Sequence, residues 1–268
     1  MTYISLSTAD LALASLLIVA NGILSLLLGL KLERTLAISM ARMVVQLTLV
    51  GFILNLIFDL ASPLWTGLIA LVMVLFAGVE VVARQERKLS TVVSYGLGAS
   101  AMTFSSVVVT VLALTTQIGP DPWYDPQYAI PLLGMILGNS MTGIALGLNT
   151  LTTGMYRDRA AIEAQLCLGA TRWQASGPVT RSAMRTGMMP MINAMAAAGV
   201  VSLPGMMTGQ ILAGVPPTEA VRYQILIMFL IVGATGLGVL MTVYGGLIKL
   251  TDSRDRLRLD RLQRADDE

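Results

Sequence analysis

Apolar residues in this chain fall into long blocks, with most polar residues confined to the gaps between them. Seven blocks, at 11–30, 36–58, 63–82, 92–116, 129–148, 188–213 and 225–248, lie near the ~20 residues a helix needs to cross the hydrocarbon core. The run Val107-Val-Val-Thr-Val111 has strand propensity, but a lone strand in lipid leaves its backbone unpaired, so the block is read as helix. The pattern predicts an all-α polytopic membrane protein with about seven transmembrane helices. These form one domain over 1–250, followed by a charged tail over 251–268.

The longest internal polar gap, 151–186, predicts a rigid knob. Asp158 is placed to cap a short helix with its side-chain oxygen. Arg159 and Glu163 then share one face, while Ala161, Ala164 and Leu168 form an apolar strip on another. Gly169 supplies the left-handed stop, and Thr171 caps a second helix running at a new angle. A helix, a glycine corner and a second helix suit docking into a groove of a partner protein.

Within the blocks, Gly134-x-x-x-Gly138 and Gly143-x-x-x-Gly147 predict close helix approach in the fifth. In the sixth, Pro204-Gly205 predicts a kink, of the kind tolerated where a helix lines a cavity or is buried in protein. The tail alternates Arg and Asp around Leu257, Leu259 and Leu262 and reads as a solvated helix with nearly balanced charge.

Composition narrows the chemistry. Charged residues are 13% of the chain, about half the share in soluble domains. There is no histidine, and Cys167 is the single cysteine, which excludes His-based triads, histidine metal sites, CxxC motifs and an internal disulfide. No basic residue precedes the first block, so it reads as a retained helix and not a cleaved signal. Placing the gaps after blocks one, three, five and seven inside collects Lys31, Arg34, Arg84, Arg87, Lys88, Arg157, Arg159, Arg172, Arg181, Arg185 and the basic tail there, leaving Arg222 outside. The positive-inside rule therefore predicts an outer N-terminus and a cytoplasmic C-terminus. The outer gap 117–128 has no basic residue and carries Trp123, Tyr124 and Tyr128 as an interfacial belt.

Polar groups inside membrane blocks are costly unless they face the bundle or water, which singles out Arg42, Gln46, Glu80, Asn139, Asn193 and Gln210 as path candidates. Glu80 either offers a hard oxygen to a metal or pairs with Arg84 one turn on. Arg42 with Gln46, and the two asparagines, serve equally as stitches between helices. Met206 and Met207 at the Pro-Gly break either coordinate a soft metal or pack. The three lysines follow Leu30, Arg87 and Ile248, so no Gly-Lys-Ser/Thr phosphate loop exists in this chain. No nucleophile–base pair is visible, and the chain does not read as an enzyme.

Glu163-Ala164-x-x-x-x-Gly169 resembles the coupling-helix motif of ABC transporter permeases, although Gln165 replaces the second alanine and the importer-type tail is missing. Ile130-Pro-Leu-Leu-Gly-Met-Ile-Leu-Gly-Asn-Ser-Met141, Val201-Ser-Leu-Pro-Gly-Met-Met-Thr-Gly-Gln-Ile-Leu-Ala-Gly214, the Gly169–Thr171 corner and Arg42-x-x-x-Gln46-Leu47 together resemble the half-size ABC permease family of the bacterial iron exporter FetB and the plant aluminium-tolerance permeases. The resemblance implies a permease homodimer in the bacterial inner membrane, joined to a separate ATPase that alone binds ATP and Mg. Arg159, Glu163, Ala164, Leu168, Gly169, Ala170, Thr171 and Arg172 would then contact that ATPase. The implied cargo is a metal such as iron, with a nucleotide sugar as the other solute to consider. An ion-coupled carrier or a membrane scaffold without an ATPase is the remaining class. The expected partners are lipid, ATPase, a second copy and cargo, with no nucleic acid.

Overall fold

The computed structural model describes residues 7–60, 62–85, 87–89 and 91–264, the side chains of 59–60, 87–88, 91–92 and 263–264 excepted. The residues before Ser7, the side chains of Arg87 and Lys88 and the end of the tail, all used in the charge reading, lie outside the described residues. The chain forms two compact units, Met1–Leu60 and Ala61–Glu268.

In the first unit α1 (Thr8–Leu27) and α2 (Glu33–Leu60) form a hairpin. Ser7 opens α1 with a capping box, accepting from the Asp10 N–H while the Asp10 carboxylate accepts from Ser7. The turn holds Gly29 and Lys31 at positive φ. It is pinned by the buried Ser25 hydroxyl, which donates to the Glu33 carboxylate and accepts from the Leu32 N–H, both at 2.9 Å.

The second unit contains α3 (Pro63–Ala83), α4 (Thr91–Ala113) with a π-helical extension Leu114–Ile118, α5 (Pro126–Arg157), α6 (Arg159–Cys167), α7 (Arg172–Ala175), α8 (Gly177–Ala197), α9 (Gly205–Leu212) and α10 (Pro217–Lys249). Two three-residue strands, β1 (Arg87–Leu89) and β2 (Leu262–Arg264), pair antiparallel. Among the described residues six helices are long and apolar enough to cross a membrane: α1, α2, α3, α4 with its extension, α5 and α10. The chain is an integral, essentially all-helical membrane protein, as the blocks predict.

The sixth block departs from the expectation. It is a break, not a kink. After α8 the chain turns through Ala198–Pro204, with Gly199 at φ +83°, before α9 starts. Pro204 donates no N–H and pushes Leu203 out of the helical region, and Gly199 ends α8 in the left-handed region that glycine adopts cheaply.

Close approaches fix helix directions. A Cβ on Gly143 would lie 2.7 Å from the Gly187 carbonyl oxygen, and one on Gly147 would lie 3.5 Å from that of Ala183, so α5 and α8 run antiparallel with backbones nearly touching. Gly143 and Gly147 also face Val239, and Gly147 faces Val243, so α5 and α10 run parallel. The predicted glycine seam is therefore Gly143/Gly147; Gly138 opens onto free space. Some hydroxyls inside the bundle are satisfied locally, as in Thr242 to the Gly238 carbonyl, or across helices, as in Ser140 and Thr235 at 3.3 Å, while those of Ser106, Thr110 and Thr153 are buried with no partner among the described residues. This arrangement collects the ends of α3, α5 and α10 and the starts of α4 and α8 at one pole.

At that pole the tail is not a solvated helix. Thr251 bridges to Leu257, a 3₁₀ turn covers Leu259–Arg261, and β2 pairs with β1 of the α3–α4 connection. Leu257, Leu259 and Leu262 pack on the main core. Burial of those leucines outweighs the propensity of an isolated charged helix.

Candidate functional site: a polar knob and a methionine-lined cavity

The knob is built around a glycine corner. Gly169 stands at φ +92°, and the Ala170 N–H reaches back to the Gln165 carbonyl at 3.0 Å, closing the Schellman pattern that ends α6. Thr171 and Gln174 form a reciprocal capping box that starts α7. Asp158 occupies the N-cap position of α6 but does not cap it: its carboxylate accepts from the Arg157 guanidinium at 2.9 and 3.1 Å. That ion pair holds the Asp158 carboxyl below its ordinary range. A two-point charged contact displaces a single neutral cap.

The knob has an anchored side and an open side. Ile162 is buried, and Leu166 and Ala170 pack on the main core. Arg172 turns inward: its Nε lies 2.8 Å from Asp255, and its guanidinium donates to the Thr251 hydroxyl at 3.2 Å and the Asp252 carbonyl at 3.4 Å. Arg159 lies over the Tyr156 ring instead. The predicted strip of Ala161, Ala164 and Leu168 is exposed, Leu168 at 89%, and Glu163 and Cys167 share that outward exposure. The buried strip, Ile162 and Leu166, went unread because four-residue spacing fits both faces of so short a helix.

At the far end of the bundle, a cavity of about 370 Å³ lies beside the α8–α9 break, walled by α5, α8, α9 and α10. Of the predicted path residues, Asn139 and Met206 line it. The Asn139 amide nitrogen donates to the Met135 carbonyl one turn earlier, at 2.7 Å. Gln210 sits on α9 with its side-chain oxygen buried and unpartnered among the described residues. Met207 is half-buried on α9 and Asn193 is exposed on α8; neither lines the cavity. Glu80 sits half-buried in α3, where Arg84 reaches Thr142 of α5 at 3.5 Å. Arg42 and Gln46 lie exposed on α2, in the first unit.

Sequence reading missed Gln224, Met135 and Met228, which line the same cavity. Gln224 stands one residue before the seventh apolar block. Its spacing carried the signal: Gln224, Met228 and Ile231 share one face of α10, as Met135 and Asn139 share one of α5. Among the described residues no group of three or more Cys, Asp or Glu side chains could hold a metal.

Residues 8–250 match an uncharacterised protein family, UPF0014. The chain is 41% identical over 203 residues to the UPF0014 membrane protein slr1647 of Synechocystis sp., covering 76% of this chain and 78% of the relative. It is 30% identical over 268 residues to the "Probable iron export permease protein FetB" of Escherichia coli, covering 97% and 98% respectively. It is 32% identical over 213 residues to the UPF0014 membrane protein STAR2 of Oryza sativa subsp. japonica, covering 80% and 73%. No solved structure matches the chain.

Proposed function

The chain belongs to the UPF0014 family, and from that premise we propose that it is the permease half of an ATP-driven exporter of a metal ion, completed by a second copy and a separate ATPase. One observation carries the reading: a knob anchored on one side and open on the other. Ile162, Ala170 and the Arg172–Asp255 pair fix it to the bundle, while Leu168 and its neighbours stay free for a partner. A force on such a knob moves the helices to which it is tied. The pole that carries the knob faces the cytoplasm, where ATP is available, in keeping with Arg84, Arg157, Arg159 and Arg172 collected there.

In this mechanism the ATPase grips the Ala161–Ala164–Leu168 strip. Its closure shifts α6 and α7, and the shift passes through Arg172 to the tail, α10 and the α3–α4 connection. The helices around the break then alternate access to the cavity. The metal reading follows the name of the Escherichia coli relative, a probable iron export permease.

Reconstitution with the candidate ATPase tests the coupling. Gly169 has free space around it but a left-handed φ, so a β-branched residue there costs about 1–2 kcal/mol of backbone strain and re-aims the corner. Gly169→Val should leave basal ATP hydrolysis intact and abolish its link to transport, while Gly169→Asn, which tolerates that φ, should keep it. Normal metal transport by Gly169→Val would overturn the assignment. Stimulation by a nucleotide sugar and by no metal would keep the machine and replace the cargo.

A further inference from the structure

We propose that the cavity at the α8–α9 break binds a soft, singly charged metal cation of the Cu(I) or Ag(I) kind, through methionine thioethers and the Gln224 side-chain oxygen. The inference rests on the transport reading for its purpose and narrows the cargo to a chemical class.

Gln224 is the first reason. The residue is 8% exposed, it lines the cavity, and its Oε1, closed to solvent as it stands, has no hydrogen-bond donor among the described residues. A buried acceptor without a partner costs about 1–3 kcal/mol, and a bundle in lipid has little water to relieve it. A bound cation removes that cost once the amide turns its oxygen into the cavity. Asn139 offers a second oxygen, since its amide nitrogen is already committed to the Met135 carbonyl.

The thioethers are the second. Met135, Met191, Met206 and Met228 approach one cavity from four helices. Methionine supplies four of its twelve lining residues, against 17 of the chain's 268, so ordinary usage does not account for the cluster. Each sulfur sits one methyl from the end of a flexible, unbranched side chain, which lets several thioethers turn toward one ion. Thioethers are soft donors that select Cu(I) over hard divalent ions.

Charge is the third. Among the described residues no Asp, Glu, Lys or Arg lines the cavity, and the start of α9 at Gly205 forms part of its wall. Hard divalent cations take carboxylates and waters, neither a strength of this wall. The partial positive charge of a helix start opposes a doubly charged ion more than a singly charged one. A soft monovalent ion is what this wall suits.

The test measures binding to the full chain alone in detergent micelles, with Cys167 alkylated because its exposed thiol would bind the probe by itself. Ag(I), and Cu(I) under reductant, compete with a chromophoric chelator. The expected result is one ion per chain, with affinity lowered at least about tenfold in Met206→Leu/Met228→Leu and in Gln224→Leu, and unchanged in Met195→Leu, which lies outside the cavity. Leucine nearly conserves methionine volume, so the melting temperature should hold. X-ray absorption of unmutated chain loaded with Cu(I) should show sulfur neighbours, a readout independent of any variant. A shell of nitrogen and oxygen only, affinity indifferent to these substitutions, or displacement of Ag(I) by equimolar Fe(II) would overturn the proposal. Because no ATPase is present, loss of binding with coupling intact removes this site alone, whereas intact binding with no ATPase coupling removes the transport reading.

Discussion

Replacing Gly187 by alanine tests the packing that defines the bundle. A Cβ there would lie 2.8 Å from the Gly143 carbonyl oxygen and 2.8 Å from Val239 Cγ1. The valine can rotate. The carbonyl cannot, because it is held within α5, so the two helices must separate. Overpacking of this kind costs about 1–3 kcal/mol, partly offset by the ~1 kcal/mol that alanine gains over glycine in a helix. Gly138→Ala is the matched control: among the described residues nothing lies within 4 Å of its Cβ, and only the gain applies. The two variants should therefore differ by about 1–3 kcal/mol, a gap in melting temperature of about 2–12 °C for a unit of this size. Tryptophan fluorescence during thermal unfolding in micelles reads it directly. Equal melting temperatures would show that α5 and α8 do not touch at the Gly143–Gly187 crossing, and the helix directions derived from it would fall.

Two further outcomes follow from the knob and the tail. Asp252 accepts backbone hydrogen bonds from Arg256 and Arg254 and a side-chain bond from Arg256, which lower its carboxyl from 3.8 to about 2. A depressed carboxyl stabilises the folded tail above its unfolded value, so protection should hold above about pH 4 and vanish as pH falls through about 2; hydrogen exchange over Leu257–Leu262 reads this, and Asp252→Asn should flatten the profile. Cys167, the single cysteine and exposed on the knob, should react with a membrane-impermeant maleimide in inside-out vesicles and not in right-side-out ones, and the bound ATPase should shield it. Labelling from outside would invert the orientation.

Hydropathy located the membrane-spanning blocks because lipid demands a long apolar window, and Pro63 opens α3 where the third block begins. It could not locate helix ends that stand in water. Helix α5 runs on to Arg157 and α8 starts at Gly177, eleven residues before the block at Met188, because a helix that leaves the membrane keeps its hydrogen bonds while its exposed side chains turn polar. The Gly169 corner and the Thr171 cap were legible, since each is local chemistry within four residues. The inward turn of Arg172 was not, because its partners Thr251, Asp252 and Asp255 lie about eighty residues further along the chain. The stripe of Gln224, Met228 and Ile231 was legible as one face of α10, but not that it walls a cavity, because that wall is assembled from four helices.

The separation between Arg172 and its partners sets a schedule. The knob emerges first, and Thr251 and Asp252 follow only after α8, α9 and α10 have been made. At about 5–20 residues per second, eighty residues take about 4–16 s of synthesis. Through that interval Arg172 lacks the residues that hold it. On the proposed coupling, a newborn chain carries the knob before the linkage that ties it to the bundle, and an ATPase that requires the latched form would pass over unfinished molecules.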